Sequence, residues 1–422
     1  MPIFLVGVNH TTAPVALREQ VYVGRVAQGP FLRHLCATPG VAEAVVLSTC
    51  NRTEVYAVSD ELPLLIDSLA AFSHLPLETL LPHLYLHEDR LAVQHLFRVA
   101  CGLDSLVIGE TQILGQIRSA LDEARVHGAA GRMLTGLLQQ ALAVGKRART
   151  ETGISDGAFS VGRAAVEMAH RLFPDLRQSP ILLLGAGKMS EITARHLAAS
   201  GVQALFVANR THAHACELAA RLGGCAIRYE ALREALVDVD ILISSTSAPH
   251  AVLHVEDVVA VMEKRDGRPL CLIDIALPRD IDPAVGDLPG VHLYNIDDLQ
   301  TATLEDRACR LAEVPAVEAL IDDGVREWSR RQAGLEAAPV IAALHEAFEE
   351  VRQTELARHA ALLATLTSEQ REAVEMLTSG LISKLLHTPT VRLKDALAAD
   401  PERMPLAVVC ELFAIAPDGE GI

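Results

Sequence analysis

The chain has 422 residues, with 37 Lys and Arg against 54 Asp and Glu, for a formal charge of −17. Half of the residues are apolar and 22% are charged, which excludes a disordered or fibrous chain; the length suits two or three domains. Charge is uneven: residues 1–150 hold 12 basic and 13 acidic side chains, leaving 25 and 41 for the remainder, so most of the chain repels a polyanion.

Any contact with a nucleic acid must then come from local clusters such as Lys146, Arg147 and Arg149, whose simpler reading is a solvated helix end. No uncharged apolar run approaches the roughly 20 residues a membrane-crossing helix needs. The first apolar run, IFLVGV, lacks a basic flank and reads as a strand rather than a leader. Eight cysteines (Cys36, Cys50, Cys101, Cys216, Cys225, Cys271, Cys309, Cys410) show no CxxC spacing, which fits reduced thiols in a cytoplasmic protein and offers no metal seat.

In chain order, the pattern predicts a strand over 3–8, a helix around 17–38, strands over 44–49 and 53–59, and a helix after Glu61. From Glu88 a helical period places Leu91, His95, Leu96 and Val99 together and stops at Cys101-Gly102. The loop GLDSLVIGE leads to helices over about 111–127 and 131–150. A helix near 158–172 then precedes apolar strands in SPILLLGAGKMSE, LFVANRT, DILISSTSAP and LCLIDIALP, the pattern of a parallel, doubly wound sheet. Beyond residue 297 the chain reads as helical, with Pro315 predicted to kink or break a long stretch from Asp298 to about Gln332. Leu344, Phe348, Leu362, Leu366, Leu377 and Leu381 suggest a bundle or an oligomer interface.

Gly185-Ala186-Gly187-Lys188-Met189-Ser190 follows an apolar strand and opens a helix, as a dinucleotide fingerprint does, with Ser190 where Gly or Ala is usual. The next strand ends in Asn209-Arg210-Thr211. It offers no carboxylate for a ribose 2′-hydroxyl but a cation for a 2′-phosphate, so NADP(H) is favoured over NAD; the alternative is an arginine capping a surface turn.

Ser48-Thr49-Cys50-Asn51-Arg52 lies between two strands, so Cys50 sits at a strand end or tight turn. A nearby cation (Arg52) or imidazole (His95) can supply the thiolate a nucleophile needs; the plainer reading of both Cys50 and His95 is structural. A thiol beside a nicotinamide suits acyl reduction.

Together the segments GVNHTTAPVALRE, LSTCNRTEVY, HLFRVACGLDSLVIGETQILGQI, KRARTETGI, GAGKMSE, ANRT, DIALPRDIDP and KLLHTPTVRLK resemble the glutamyl-tRNA reductase family, in its order and across about 7–394. The resemblance implies a multidomain α/β protein. An N-terminal α+β catalytic domain (1–155) would be followed by a Rossmann-like NADPH-binding domain (156–296), then a long spinal helix and an all-α dimerisation domain (297–422). It implies that Cys50 attacks the ester of glutamyl-tRNA, that NADPH reduces the thioester to glutamate-1-semialdehyde, and that His95 is the histidine important for activity. Thr49, Asn51, Arg52, Ser105, Glu110, Thr111, Gln112 and Gln116 fall on the family's substrate positions. Arg52 suits a bidentate clamp on the glutamate carboxylate, while Glu110 reads equally as a first-turn helix carboxylate.

Implied partners are glutamyl-tRNA, a second copy of the chain through the C-terminal helices, and the aminomutase that consumes the aldehyde, with no membrane. Two departures stand out: Cys101 replaces the family's usual Ser, adding a second thiol that could compete for oxidation, and Pro315 interrupts the spinal helix. The rival readings are an NADP-dependent hydroxy-acid dehydrogenase, since the middle domain resembles that of shikimate dehydrogenase, and an NADPH-sensing scaffold. Neither requires STCNR.

Overall fold

Strands β1 (Ile3–Asn9), β2 (Val41–Ser48), β3 (Arg52–Ser59) and β4 (Tyr85–Glu88) of the computed structural model form an antiparallel sheet of order β2-β3-β1-β4. The structure describes residues 1–106, 108–110, 112–155, 161–173, 175–299, 304–399 and 406–416. Between β1 and β2 run α1 (Val15–Val21) and α2 (Arg25–Ala37); α3 (Pro63–Ser73) and α4 (Leu77–Leu80) precede β4; α5 (Asp89–Ala100), α6 (Ile113–Val126) and α7 (Arg132–Glu151) follow it. Every residue of β1 and β3 is buried. Both faces of the sheet are therefore covered, and any charge on these strands has to find its partner inside.

The single helix expected over 17–38 is instead α1 and α2. Tyr22 and Gly24 are extended, and between them the Val23 amide donates to Ser48 Oγ (3.0 Å), tying the break to the end of β2. Strand β4 was not expected from the sequence: it is four residues long and half-exposed, too short to show an alternating pattern.

The second sheet is parallel throughout. Its strands are β5 (Ile181–Leu184), β6 (Leu205–Ala208), β7 (Cys225–Ile227), β8 (Ile241–Ser244), β9 (Leu270–Asp274) and β10 (Val291–Asn295), in the order β10-β9-β8-β5-β6-β7. Helices α8 (Val161–Leu172), α9 (Lys188–Ala199), α10 (His212–Leu222), α11 (Leu232–Asp238) and α12 (Val255–Met262) complete this Rossmann-like domain. The strand order changes sense between β5 and β8, with β6 and β7 added on one side and β9 and β10 on the other, the switch point where such sheets bind ligands beyond their carboxyl ends.

The chain divides into two units, Met1–Ile321 and Asp322–Ile422. Of the kink or break expected at Pro315, the break does not occur: helix α13 (Leu304–Arg358) runs through that residue without interruption. Pro315 is exposed, as is Leu311 four residues earlier, so the carbonyl that loses its intrahelical donor faces water. In the second unit α14 (Ala360–Leu363), α15 (Ser368–Ala399) and α16 (Leu406–Phe413) accompany the end of α13; Ala333, Ala337, Leu393 and Leu397 form one small core, and Val340, Leu344, Leu386 and Ile415 another. Leu362, Leu377 and Leu381 are exposed. Among the described residues no single helix is long and apolar enough to cross a membrane.

Candidate active site

Three residues, Thr49, Cys50 and Asn51, turn the chain from β2 into β3. The Thr49 amide donates to the Arg52 carbonyl (2.8 Å), and Thr49 Oγ1 accepts from the amides of Asn51 (3.2 Å) and Arg52 (3.3 Å). This side-chain-closed turn places Thr49 in the scaffold and Cys50 at the tip. Two residues absent from the sequence-based set pin it from outside: the His10 amide donates to the Asn51 carbonyl (2.9 Å), and buried Arg18 donates through Nη1 to the Cys50 carbonyl (2.9 Å).

Cys50 is half-buried and packs against the core of the nucleotide domain. Burial and the nearby negative charge of Glu110 push its thiol up to about 12, against the opposing pull of Arg18 and Arg52. At neutral pH only about one thiol in 10⁵ is then ionised, so its proton has to leave as the sulfur reacts.

Arg52 and His95 belong to one buried network centred on Glu54. Arg52 Nη1 donates to Glu54 Oε1 and to Asp104 Oδ2, both at 2.8 Å, and Nη2 donates to the Asp104 carbonyl. Glu54 Oε1 also receives His95 Nε2 (2.8 Å) and the Tyr85 hydroxyl (2.6 Å), and Oε2 receives the Tyr56 hydroxyl (2.7 Å). Burial alone would raise the Glu54 pKa, yet Arg52, His95 and Tyr85 hold it well below the carboxylate range. Burial opposes the Arg52 charge, and Glu54, Tyr85 and Asp104 more than restore it.

The sheet is built for this network: Gly7 lies in register with Glu54 on one side and Tyr85 on the other, and a Cβ there would sit 2.8 Å from the Tyr85 ring. Ligand atoms of Glu54, His95 and Asp104 lie within 4.8 Å of one another, but the Arg52 guanidinium already supplies the positive charge between the carboxylates. A clamp on an incoming carboxylate would require Arg52 to share or exchange these partners.

Other expected positions gather nearby. Ser105 and Glu110 are buried, and burial raises the Glu110 pKa to about 6 although Arg52 and Arg149 oppose the shift. Gln112 and Gln116 line a cleft at the start of α6. Among the described residues Asn51 Oδ1, Gln112 Nε2 and His10 Nδ1 are buried without hydrogen-bond partners, a state that calls for a polar ligand. Thr111 lies outside the described residues. Cys101 is fully buried whereas Cys50 is half-buried; burial pushes both thiols up to about 12, so what sets Cys101 apart as a target for oxidation is its lack of exposure. The basic cluster is largely engaged: Arg147 pairs with Glu151 (2.9 Å) and Arg149 donates to the Glu110 carbonyl (3.0 Å).

The same cleft, about 1090 Å³, joins Ser48 at the end of β2 to the switch point of the parallel sheet. Gly185, Ala186, Gly187, Lys188 and Met189 line it, as do Asn209, Arg210 and Thr246. Gly185 has φ +107°, and a Cβ on it would meet the Ser245 carbonyl at 2.8 Å. At Gly187, where α9 begins, a Cβ would find open space, as a close-lying pyrophosphate requires. Exposed Arg210 suits a 2′-phosphate. Asn209 braces the turn by donating to the Thr211 carbonyl (2.9 Å), and Ser190 Oγ bonds Ser245 Oγ (2.6 Å), joining the ends of β5 and β8. The cradle fits a dinucleotide phosphate.

Residues 6–152 match the family description "Glutamyl-tRNAGlu reductase, N-terminal domain", 167–302 match "Shikimate / quinate 5-dehydrogenase", and 316–415 match "Glutamyl-tRNAGlu reductase, dimerisation domain". The chain is similar to a glutamyl-tRNA reductase of Desulforudis audaxviator, at 42% identity over 100% of this chain and 96% of the relative. It is also similar to one of Solibacter usitatus, at 40% identity over 98% and 99%. A solved structure of glutamyl-tRNA reductase from Methanopyrus kandleri is 34% identical and covers 94% of this chain and 98% of its own, with a TM-score of 0.47. With relatives at this identity across its full length, the chain belongs to the glutamyl-tRNA reductase family.

Proposed function

We propose that this protein reduces glutamyl-tRNA to glutamate-1-semialdehyde with NADPH, releasing tRNA, as the entry step of tetrapyrrole synthesis, and that Cys50 carries the glutamyl group in between. The observation that carries this reading is the single cleft joining the nucleotide loop to the strand end that leads into Cys50.

Cys50 Sγ forms a bond to the ester carbonyl carbon, the bond from that carbon to the ribose oxygen breaks, and the thiol proton ends on the departing hydroxyl. Glu110, with a pKa near 6 and a charge felt at Cys50, is suited to take that proton and hand it on. Gln112 Nε2 supplies a donor for the glutamyl carboxylate, Asn51 Oδ1 an acceptor for its ammonium group, and cleft-lining Gln116 a further polar contact, with Ser105 and Thr111 added on the family resemblance alone. Arg52 contributes positive charge, held in place by Glu54 and, through Glu54, by His95. NADPH, when bound, would supply the hydride that adds to the thioester carbon; the carbon–sulfur bond then breaks, the aldehyde leaves and the Cys50 sulfur takes a proton to return as the thiol. Gly185 to Ser190 would cradle its pyrophosphate side, with Asn209, Arg210 and Thr211 on the adenosine side.

The domains are taken as 1–155, 156–296 and 297–422, the last forming a homodimer through its helices, whose exposed leucines suit burial against a second copy. The cytoplasm as location and the aminomutase as recipient of the reactive aldehyde complete the reading. Replacing Cys50 by Ser tests it: aldehyde formation is expected to vanish while NADPH still binds, and full turnover by the variant would overturn the covalent route.

A further inference from the structure

Helix α1 carries two neighbouring charged residues that both reach the nucleotide domain. Arg18 is buried; while its Nη1 holds the Cys50 carbonyl, its Nη2 donates to Asp297 Oδ1 at 2.5 Å, just past β10. Glu19 meets Arg279 three times: Oε1 accepts from the Arg279 amide (2.7 Å) and Nε (2.9 Å), and Oε2 accepts from Nη2 (2.7 Å). A bidentate pair reinforced by a backbone donor fixes orientation as well as distance.

The loop bearing Arg279 is itself tied to the cleft wall. Asp274 accepts from the amides of Ala276 (3.0 Å) and Ile281 (2.9 Å), and Asp280 accepts from the amide of Thr246 (2.8 Å), a residue lining the nucleotide cleft. Hydrogen bonds and short chain segments thus run from the Cys50 carbonyl through α1 and Arg279 to the wall of that cleft.

We propose that Glu19, through Arg279, holds the nucleotide cleft in register with acylated Cys50, beside the Arg18–Asp297 contact, and that the Glu19–Arg279 pair sets the rate of thioester reduction without contributing to thioester formation. Glu19 and Arg279 are positioning residues, and the proposal rests on the reading of Cys50 as the acylated group. Acyl transfer needs the ester beside Cys50 alone, whereas reduction needs the thioester and the nucleotide, held by different domains, in register. Displacement of about 1 Å between reacting groups costs on the order of a hundredfold in rate.

Glu19 and Arg279 are partly exposed, and their side-chain hydrogen bonds among the described residues are to each other, so Glu19→Ala, Arg279→Ala and the double variant suit the test. The full-length enzyme is mixed with glutamyl-tRNA without NADPH, and the growth of the glutamyl adduct on the Cys50 peptide is timed by mass spectrometry. NADPH is then added and aldehyde formation timed. Adduct growth within about twofold of wild type is expected, with reduction slowed about tenfold or more by each single variant and by the same factor in the double. Equal loss in both steps, unchanged reduction, or additive losses in the double variant would overturn the proposal. Wild-type enzyme that forms no adduct on Cys50 would overturn the covalent reading and this inference with it, in an arm separate from the variants.

Discussion

His95 Nε2 and Glu54 Oε1 are 2.8 Å apart, and that oxygen also receives Arg52 Nη1 and the Tyr85 hydroxyl. The imidazole is thus linked to the cysteine turn through Glu54 and Arg52. Replacing His95 by Ala removes one of four donors from a buried carboxylate, at a cost of about 1–3 kcal/mol in stability. Activity is expected to fall, while the pH dependence of Cys50 alkylation by iodoacetamide stays where it is in the wild type. A shift in that profile would place His95 in direct proton exchange with the thiol.

Glu110 makes the opposite prediction. As the proton acceptor it has to be ionised before Cys50 reacts, so single-turnover acylation is expected to rise with pH through about 6. Glu110→Gln removes that limb and slows acylation about a hundredfold. It also removes a negative charge felt by the sulfur, so the alkylation profile of Cys50 moves to lower pH. Retention of the limb in the variant would assign it to another group.

Arg210 lines the cleft where the adenosine end of the nucleotide is expected. Arg210→Ala is expected to weaken NADPH binding about tenfold or more and NADH binding little, read by fluorescence titration with each nucleotide. Equal losses would remove Arg210 from the 2′-phosphate.

His10 links stability to pH. Burial, with Arg52 adding to it, lowers its pKa to about 4 from an ordinary 6.5, and its Nδ1 has no partner among the described residues. Its folded pKa is depressed, so the unfolded chain binds the extra proton between pH 6.5 and 4. The neutral ring's contribution is present above 6.5 and is lost as pH falls towards 4, by at most about 3 kcal/mol. His10→Gln is expected to flatten the fall in melting temperature across that window; an unchanged slope would show that other groups carry it.

Much of the site was legible as chemistry and little of it as geometry. The glycine loop, Arg210 and the cysteine turn stand in short contiguous runs whose residue types carry their reasons, and the structure brings the glycine loop and Arg210 to one cleft with Ser48, beside the cysteine turn. Glu54 could have been anticipated: it lies two residues from Arg52 on an apolar strand, where alternate side chains share a face and a buried charge needs a partner. Arg18 with Asp297 and Glu19 with Arg279 could not, because each pair is separated by more than 250 residues and α1 was read as the start of one longer helix. Strands β4, β7 and β10 escaped for a different reason: none exceeds five residues and none is fully buried, so neither alternation nor a continuous apolar run marks them. Pro315 does not break α13, since an exposed helix face lets water replace the missing donor.

The most direct measurement is the mass of the Cys50 peptide after one turnover of glutamyl-tRNA, quenched in acid with and without NADPH. Without NADPH, a glutamyl increment is expected on Cys50 and on no other cysteine; with NADPH, it is expected to disappear as aldehyde forms in equal amount. Aldehyde formed with no increment on Cys50 at any time, or an increment that NADPH leaves in place, would contradict the account.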